Sequence, residues 1–427
     1  MEKFDIIIVG AGPAGSAAAY YAAKSGLSVL LLERGEYPGA KNVSGAVFYS
    51  DVLNNLIPNF HQEAPIERYI NHHVLSALTE DASISVKFSN QRDKPVGISV
   101  LRGKFDRWFA GKAEEAGAVV LTASLVEDLI VHNGQVSGVK IARDHGEVYA
   151  NIVILAEGAN SLLTEKAGLR KRPMAKHLGL GIKEVIRLPA SEIEKRFQLS
   201  ANDGVAFSFI GDCTRGIPGG GFLYTNRESI SIGVVAHLEH LKRAKVEPFT
   251  LLDHFKEHSA VASLIAGGSV KEYAAHLIPE GGLDMVPRIH AGGVMVVGDA
   301  AGFTMNYGLV LRGMDFAVAS GIAAAEAACK AHEIKDFSKS ATARYRRLLR
   351  RSFVLKDLRR FKKLSRFLQK ERVYTEYPAW LNRVGKSLFD VSARPRDKSM
   401  KLIIRERPRT VNLLTIIRDM MRGIKSI

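Results

Sequence analysis

Apolar positions open the chain in two short blocks. Phe4–Gly10 (FDIIIVG) and Ser28–Glu33 (SVLLLE) are near-continuous apolar runs, the pattern of strands buried on both faces. Between them the alanine-rich segment Ser16–Ser25 reads as a helix, and the three together predict a βαβ unit. Residues 34–50 are rich in turn formers, and 51–100 mix a helix with alternating segments such as ISVKFS. Residues 100–117 read as a strand leading into an amphipathic helix, and three short strands with turns between them are predicted over 118–160. From 180 to 235 the segments VAFSFIG, GFLYTN and SISIGVV alternate with period two, which predicts antiparallel pairing. A helix over 248–266, a buried strand at GVMVVG (293–298) and a long alanine-rich helix over 313–332 follow. From 341 the chain reads as helical. The pattern predicts an α/β body, a mostly antiparallel insert and a helical tail, with no internal repeat and no low-complexity linker.

Size and composition narrow the class. A chain of 427 residues with 46% apolar and 24% charged side chains has the globular mix and room for two or three domains. The formal net charge of +16 is unevenly spread. Residues 341–427 hold 25 Lys and Arg against 7 Asp and Glu, whereas the first 340 are almost neutral. The basic tail suits an anionic partner. Two cysteines, Cys213 and Cys329, are too few for a disulfide framework or a four-cysteine metal or iron–sulfur site within this chain, and both read as packed small hydrophobes. The uncharged run Ile6–Ala23 has the length of a signal or membrane segment, but Gly10, Gly12, Pro13 and Gly15 interrupt it and Glu2, Lys3 and Asp5 lack a positive bias. A cytoplasmic protein, or one peripheral on the cytoplasmic face of the membrane, is expected.

Candidate chemistry starts at GAGPAG. The spacing Gly10, Gly12, Gly15 falls after a predicted strand and opens a helix. There the first glycine allows the tight turn, the second lets a pyrophosphate approach the backbone, and the third lets helix and sheet pack. The helix N-terminus offers free N–H groups to the phosphates. Glu33, at the end of the second strand, is placed for a ribose hydroxyl pair and disfavours a 2′-phosphate, so the cofactor is NAD or FAD. A second element favours FAD. GVMVVGDAAGF sets Asp299 at a strand end before a small-residue helix start, where it can bind a ribityl hydroxyl. NIVILAEGANS turns at Glu157-Gly158, and Arg102 heads LRGKFDRWFA, where it either reaches the cofactor or is solvated. The pair His72-His73 reads as a solvated loop. No Ser-His-Asp set, H-E-x-x-H motif or metal-ligand spacing is present.

GAGPAG, ERG, LRGKFDRWFA, AEGANS and GDAAGF together resemble the FAD-binding fold of the p-hydroxybenzoate hydroxylase and geranylgeranyl reductase superfamily. Within it PGAKNVSGA (38–46), LGIKEVIRLP (180–189), GGGFLYTN (219–226) and LRGMDFA (311–317) resemble the FixC-type electron transfer flavoprotein–quinone oxidoreductases. The resemblance implies a Rossmann-like three-layer FAD-binding domain (1–60, 98–170 and 285–340), an inserted quinone domain (61–97 and 171–284) and a basic helical C-terminal region (341–427). It implies FAD contacts at Gly10, Gly12, Ala14, Gly15, Glu33, Arg34, Ser44, Gly45, Ala46, Arg102, Gly158, Asp299 and Gly302. Gly219, Gly220 and Phe222 match the family's quinone loop, with the two glycines expected to let the quinone ring approach the backbone. Pro218 stands where mitochondrial-type members have tyrosine. Those members also carry a [4Fe–4S] cluster on four C-terminal cysteines, and this chain has no cysteine after Cys329.

The family further implies FixA and FixB, an electron transfer flavoprotein pair, as donors. A separate ferredoxin-like FixX would take the cluster's role, quinone would be the acceptor, and the assembly would be bifurcating. An apolar channel to the flavin, with no dedicated acid–base dyad, is expected to suffice. Two tail segments carry an apolar stripe among basic residues. One is 354–370, through Val354, Leu355, Leu358, Phe361, Leu364 and Phe367/Leu368; the other is 413–424, through Leu413, Ile417, Met420, Met421 and Ile424. Each either packs on the body or a partner, or lies on an anionic membrane. Nucleic acid is the poorest partner, since no nucleic-acid motif is present. The competing activity is hydrogenation of isoprenoid double bonds by a geranylgeranyl reductase-type enzyme; a third reading is a flavin subunit that only relays electrons to FixX.

Overall fold

A computed structural model describes residues 3–41, 46–90, 97–308, 310–391 and 397–426. Two sheets organise it. The first has the parallel order Val294–Val296, Glu147–Leu155, Lys3–Val9, Val29–Leu32, Val119–Leu121. His290–Ala291 pairs antiparallel at one edge, and the hairpin Val126–His132/Gln135–Ile141 joins through Glu147–Leu155. Ile6, Ile7, Ile8, Leu31, Val153, Ile154 and Leu155 are buried together, as their continuous apolar runs require. Burying each such side chain contributes roughly 1.5–3 kcal/mol. The helices Pro13–Lys24 and Met314–Glu333 pack so closely that Gly321 faces the backbone of Ala14.

The second sheet has the order Ser269–Pro279, Leu178–Arg187, Ser229–His237, Gly219–Thr225, Asp203–Gly211, Ile66–Leu78, Gly97–Val100, Ala46–Tyr49. Every pairing along it is antiparallel except Asp203–Gly211 with Ile66–Leu78. Its alternation sorts two faces. Ile182, Ile186, Leu223, Ile232 and Val234 bury against Phe255, Leu251 and Val261 of the helices Pro248–Glu257 and Ser259–Ile265. The opposite face, with Gly181, Lys183, Phe222, Tyr224 and Val235, lines a cavity toward the first sheet. Successive strand residues point to opposite sides, so Glu184, next to Lys183, lies buried on the helix-covered face and takes an ion pair from Lys256 of Pro248–Glu257 at 3.1 Å. His72 and His73 lie within the Ile66–Leu78 strand, not in a solvated loop: His72 bonds Ser89 at 2.9 Å and His73 lines the cavity.

The basic tail is divided in its role. Val354, Leu355 and Leu358 join the core of the first sheet, and the Tyr345 hydroxyl donates to the Val296 carbonyl at 2.8 Å. The apolar stripe of 354–370 is therefore spent on the body. It is also broken into the helices Phe353–Arg360 and Lys362–Phe367. The terminal helix Leu413–Ser426 is docked by Asp419, which is 1% exposed and accepts from Lys370, Arg372 and Tyr377 at 2.7, 2.5 and 2.8 Å. Leu413, Leu414, Ile417 and Met421 of the same helix remain exposed. Side chains of Met420 and Ile424 lie outside the described residues. Among the described residues no helix is long and apolar enough to cross a membrane.

Candidate functional site

The cavity between the sheets has a volume of about 960 Å³. At one end is the glycine turn. Gly10 sits at φ +106°, and a Cβ there would meet the Ala156 carbonyl carbon at 2.9 Å, so the turn demands glycine. Gly15 is pressed on the Gly10 carbonyl and away from the cavity; it packs the helix on the turn. Gly12 and Ala14 line the cavity, and a Cβ on Gly12 would find only Arg102 Nη2, at 3.8 Å. The helix Pro13–Lys24 has no side-chain cap, so its first N–H groups are left for an anionic group. Glu33 accepts from the N–H of Ala11 at 3.0 Å and of Gly35 at 2.7 Å. The carboxylate thus pins the turn and, with about four acceptor positions, still has capacity for a hydroxyl.

Arg34, Gly158 and Asp299 also line this cavity. Gly158, at φ +75°, has nothing within 4 Å of its Cβ position. Asp299 starts a short turn after Val294–Val296; burial raises its pKa, and the Arg102 charge opposes that rise. Arg102 is not a solvated residue. Its Nε and Nη2 grip Asp106 at 2.8 and 2.7 Å, and although burial works against its charge, Asp106 raises its pKa. Gly302 does not line the cavity; it closes the turn by donating to the Asp299 carbonyl at 2.9 Å. Ser44 and Gly45 lie outside the described residues. Ala46 begins a strand whose Val47 and Tyr49 line the cavity.

At the other end stand Gly219, Gly220 and Phe222. Their glycines have a structural reason of their own. A Cβ on Gly220 would lie 2.6 Å from the Phe209 carbonyl oxygen, and one on Gly219 3.0 Å from Ala236 Cα. The close approach these glycines permit is that of neighbouring strands, so substituting them strains the sheet before it tests any ligand. Beside them the tail closes the wall. Gly308 abuts Leu368, and Tyr307 stacks edge-on against Phe361 at 4.6 Å. Arg312 pairs with Asp315 and Asp357 and lies over the rings of Phe316 and Phe353 at 4.8 and 4.9 Å.

Two titratable groups on the sheet wall go beyond the expected apolar channel. Lys183 is 1% exposed, and among the described residues its Nζ has no hydrogen-bond partner. Burial pushes its pKa down to about 7, with Glu272 opposing and Arg102 reinforcing the shift. Glu280 follows the Ser269–Pro279 strand, and burial pushes its carboxyl up to about 7. A lysine at a cavity-facing position of an alternating strand was a visible signal in LGIKEV. For Glu280 only the topology reveals the role, because its neighbours come from residues 177, 219, 237 and 374. Cys213 is buried with its thiol pushed up to about 12, and Cys329 is half-buried.

The residues fit FAD: an uncapped helix N-terminus, an open Gly12, a buried acid at Asp299 and a cavity reaching from the turn to the second sheet. The chain matches the family model FAD dependent oxidoreductase over residues 5–171, ETF-QO, ubiquinone-binding over 178–278, and the ETF-QO/FixC family C-terminal domain over 364–427. It is 44% identical over 426 residues to Protein FixC of Salmonella typhi, covering 99% of both chains. It is 39% identical over 429 residues to a protein of Escherichia coli (strain K12) named "Probable electron transfer flavoprotein-quinone oxidoreductase YdiS", covering 100% of this chain and 99% of that one. In fold it is similar to a geranylgeranyl bacteriochlorophyll reductase-like protein from Thermoplasma acidophilum, with a TM-score of 0.74 at 22% identity over 99% of this chain and 100% of that one. The chain belongs to the ETF-QO/FixC family of FAD-dependent oxidoreductases.

Proposed function

We propose that this chain accepts electrons from an electron transfer flavoprotein of the FixA/FixB type and passes them to membrane quinone, within a bifurcating assembly that includes a ferredoxin-like FixX. One observation carries the reading: a single cavity runs from the glycine turn to the strand Gly219–Thr225 of the region matched to ubiquinone binding. A cofactor held at one end and a quinone at the other would share one enclosure. Bound FAD supplies the two-electron chemistry. The chain supplies the rest. On the turn that Gly10 builds, Gly12, Ala14 and the free N–H groups of Pro13–Lys24 would hold the pyrophosphate; Glu33 and Arg34 would meet the adenosine ribose; Arg102, fixed by Asp106, and Asp299 would hold the middle. Lys183 offers a cation where negative charge accumulates during reduction. Leu311, Phe361 and Leu368 would give the quinone end an apolar wall.

Peripheral membrane contact on the cytoplasmic face belongs to the same reading. It is supported by exposed Leu413, Leu414, Ile417 and Met421 on a helix set in a strongly basic tail. Reduction of a short-chain ubiquinone analogue by the FAD-loaded chain, with a reduced electron transfer flavoprotein as donor, is the test. Flavin reduction with no quinone turnover, or loss of double bonds from a supplied isoprenoid lipid, would replace the proposal by electron relay or by geranylgeranyl reductase chemistry respectively.

A further inference from the structure

We propose that Glu280 is the acid that delivers a proton to the quinone at the glycine strand; this rests on the quinone-reducing reading above. Glu280 is placed for it. Its side chain lines the main cavity and also a separate small cavity of about 40 Å³ bounded by Gly219, His237, Lys362, Gln369 and Tyr374. The carboxyl lies against Gly179, whose Cβ position is 2.7 Å from Oε2. The backbone anchors it, since its N–H donates to the His177 carbonyl at 2.8 Å and the Thr304 hydroxyl donates to the Pro279 carbonyl.

The charges around it leave it free to hold a proton. Lys362 is committed to Asp284 at 2.7 Å. His237 is buried, and burial lowers its pKa, as it does for His177, with the Lys176 backbone opposing the fall at His237. Tyr374 donates to the Leu368 carbonyl at 2.8 Å, and burial followed by the Glu280 charge raises its pKa. Among the described residues no cation forms an ion pair with Glu280. Burial alone governs the carboxyl, and it sits near neutral pH, which suits an acid that must both give and regain a proton.

Converting quinone to quinol turns two C=O groups into two C–OH groups, with two electrons and two protons. The electrons come from the reduced FAD of the proposed reaction. The O–H of Glu280 breaks as an O–H forms on the nearer quinone oxygen; the other oxygen takes its proton from solvent. Water then reprotonates the carboxylate through the small cavity.

The test compares wild type with Glu280→Gln in the FAD-loaded full-length chain. Measured are flavin reduction by the donor, single-turnover reduction of the ubiquinone analogue from pH 5.5 to 9, and analogue affinity. The wild-type rate is expected to fall as pH rises through about 7. The variant is expected to be slowed roughly 100-fold and to lose that inflection, with flavin reduction and affinity unchanged. A variant that keeps the rate and the inflection overturns the role of Glu280 alone. A wild-type chain that accepts electrons but reduces no quinone at any pH overturns the functional reading as well. If Glu280→Gln does not fold, difference infrared spectroscopy of the wild type reads the carboxyl directly. A protonated band at pH 6 that disappears above pH 8 and shifts on adding the analogue supports the role; a band indifferent to pH and analogue overturns it.

Discussion

Alanine at Gly12 separates the glycine that meets the cofactor from the two that build its turn. Gly12 has φ −78° and ψ −176°, open to any residue, and its added Cβ would touch only the end of Arg102, at 3.8 Å. Folding should therefore change by no more than about 0.5 kcal/mol. The same methyl stands where the pyrophosphate must approach. Losing one charge-assisted hydrogen bond there costs about 1.5–3 kcal/mol, or at least tenfold in affinity at 1.4 kcal/mol per decade. Gly10→Ala is the opposite case. Forcing a side chain against the Ala156 carbonyl costs about 1–3 kcal/mol, and the left-handed φ adds about 1–2 kcal/mol. Urea unfolding of the apo-protein and titration of FAD by fluorescence measure the two effects independently. Gly12→Ala should unfold like wild type and bind FAD at least tenfold more weakly, whereas Gly10→Ala should unfold early. Wild-type FAD affinity in Gly12→Ala, or an unfolding midpoint as low as that of Gly10→Ala, would refute the reasoning.

Lys183→Met should stabilise the apo-protein at pH 7, by about 1–3 kcal/mol, because it removes an unpaired buried polar group. Burial lowers the lysine pKa to about 7 in the fold, so between there and its ordinary value the unfolded chain binds the extra proton and wild-type stability rises with pH. The advantage of the variant should accordingly shrink by pH 10, as urea melts would show. Asp419→Asn should release the terminal helix at a cost of about 3–5 kcal/mol for the broken buried cluster, seen as faster hydrogen exchange over 413–419 with unchanged FAD absorbance. Burial alone would raise the Asp419 pKa, but Arg372, Lys370 and Tyr377 hold it far below the carboxylate range. Docking is therefore kept above pH 4 and lost as pH falls below. Leu414→Glu with Ile417→Glu should abolish co-sedimentation with anionic vesicles while leaving the FAD spectrum intact; persistent binding would assign the basic surface itself to the contact.

The local rules carried the nucleotide half of the chain well. Phe4–Gly10 and Ser28–Glu33 emerge as Lys3–Val9 and Val29–Leu32. The helix starts at Pro13 rather than Ser16, because the phosphate turn is already its first turn and proline suits that position. Histidines hid the Ile66–Leu78 strand, since a polar pair interrupts the apolar signal while the pleat simply turns one to the cavity and one to Ser89. The glycines of GGGFLYTN drew attention to a ligand, whereas strand crowding already explains two of them. The amphipathic stripe of 354–370 gave no sign of its partner, because a stripe looks the same whether core or lipid covers it. Lys183 and Glu280 draw their properties from neighbours distant in sequence, and pattern alone does not reach that far.

The strand Val294–Val296, between Glu147–Leu155 and the tail's Tyr345, bears on synthesis as much as on cofactor binding. A nascent chain emerging from the ribosome exposes the edge of Glu147–Leu155 that Val294–Val296 later covers, while the strands from Leu178–Arg187 to Ser269–Pro279 of the second sheet are translated. Asp299 and the helix that seals the turn arrive only afterwards. Cofactor loading is thus a late event, and a polypeptide released before Val294 would be left with an open nucleotide pocket and a sticky strand edge.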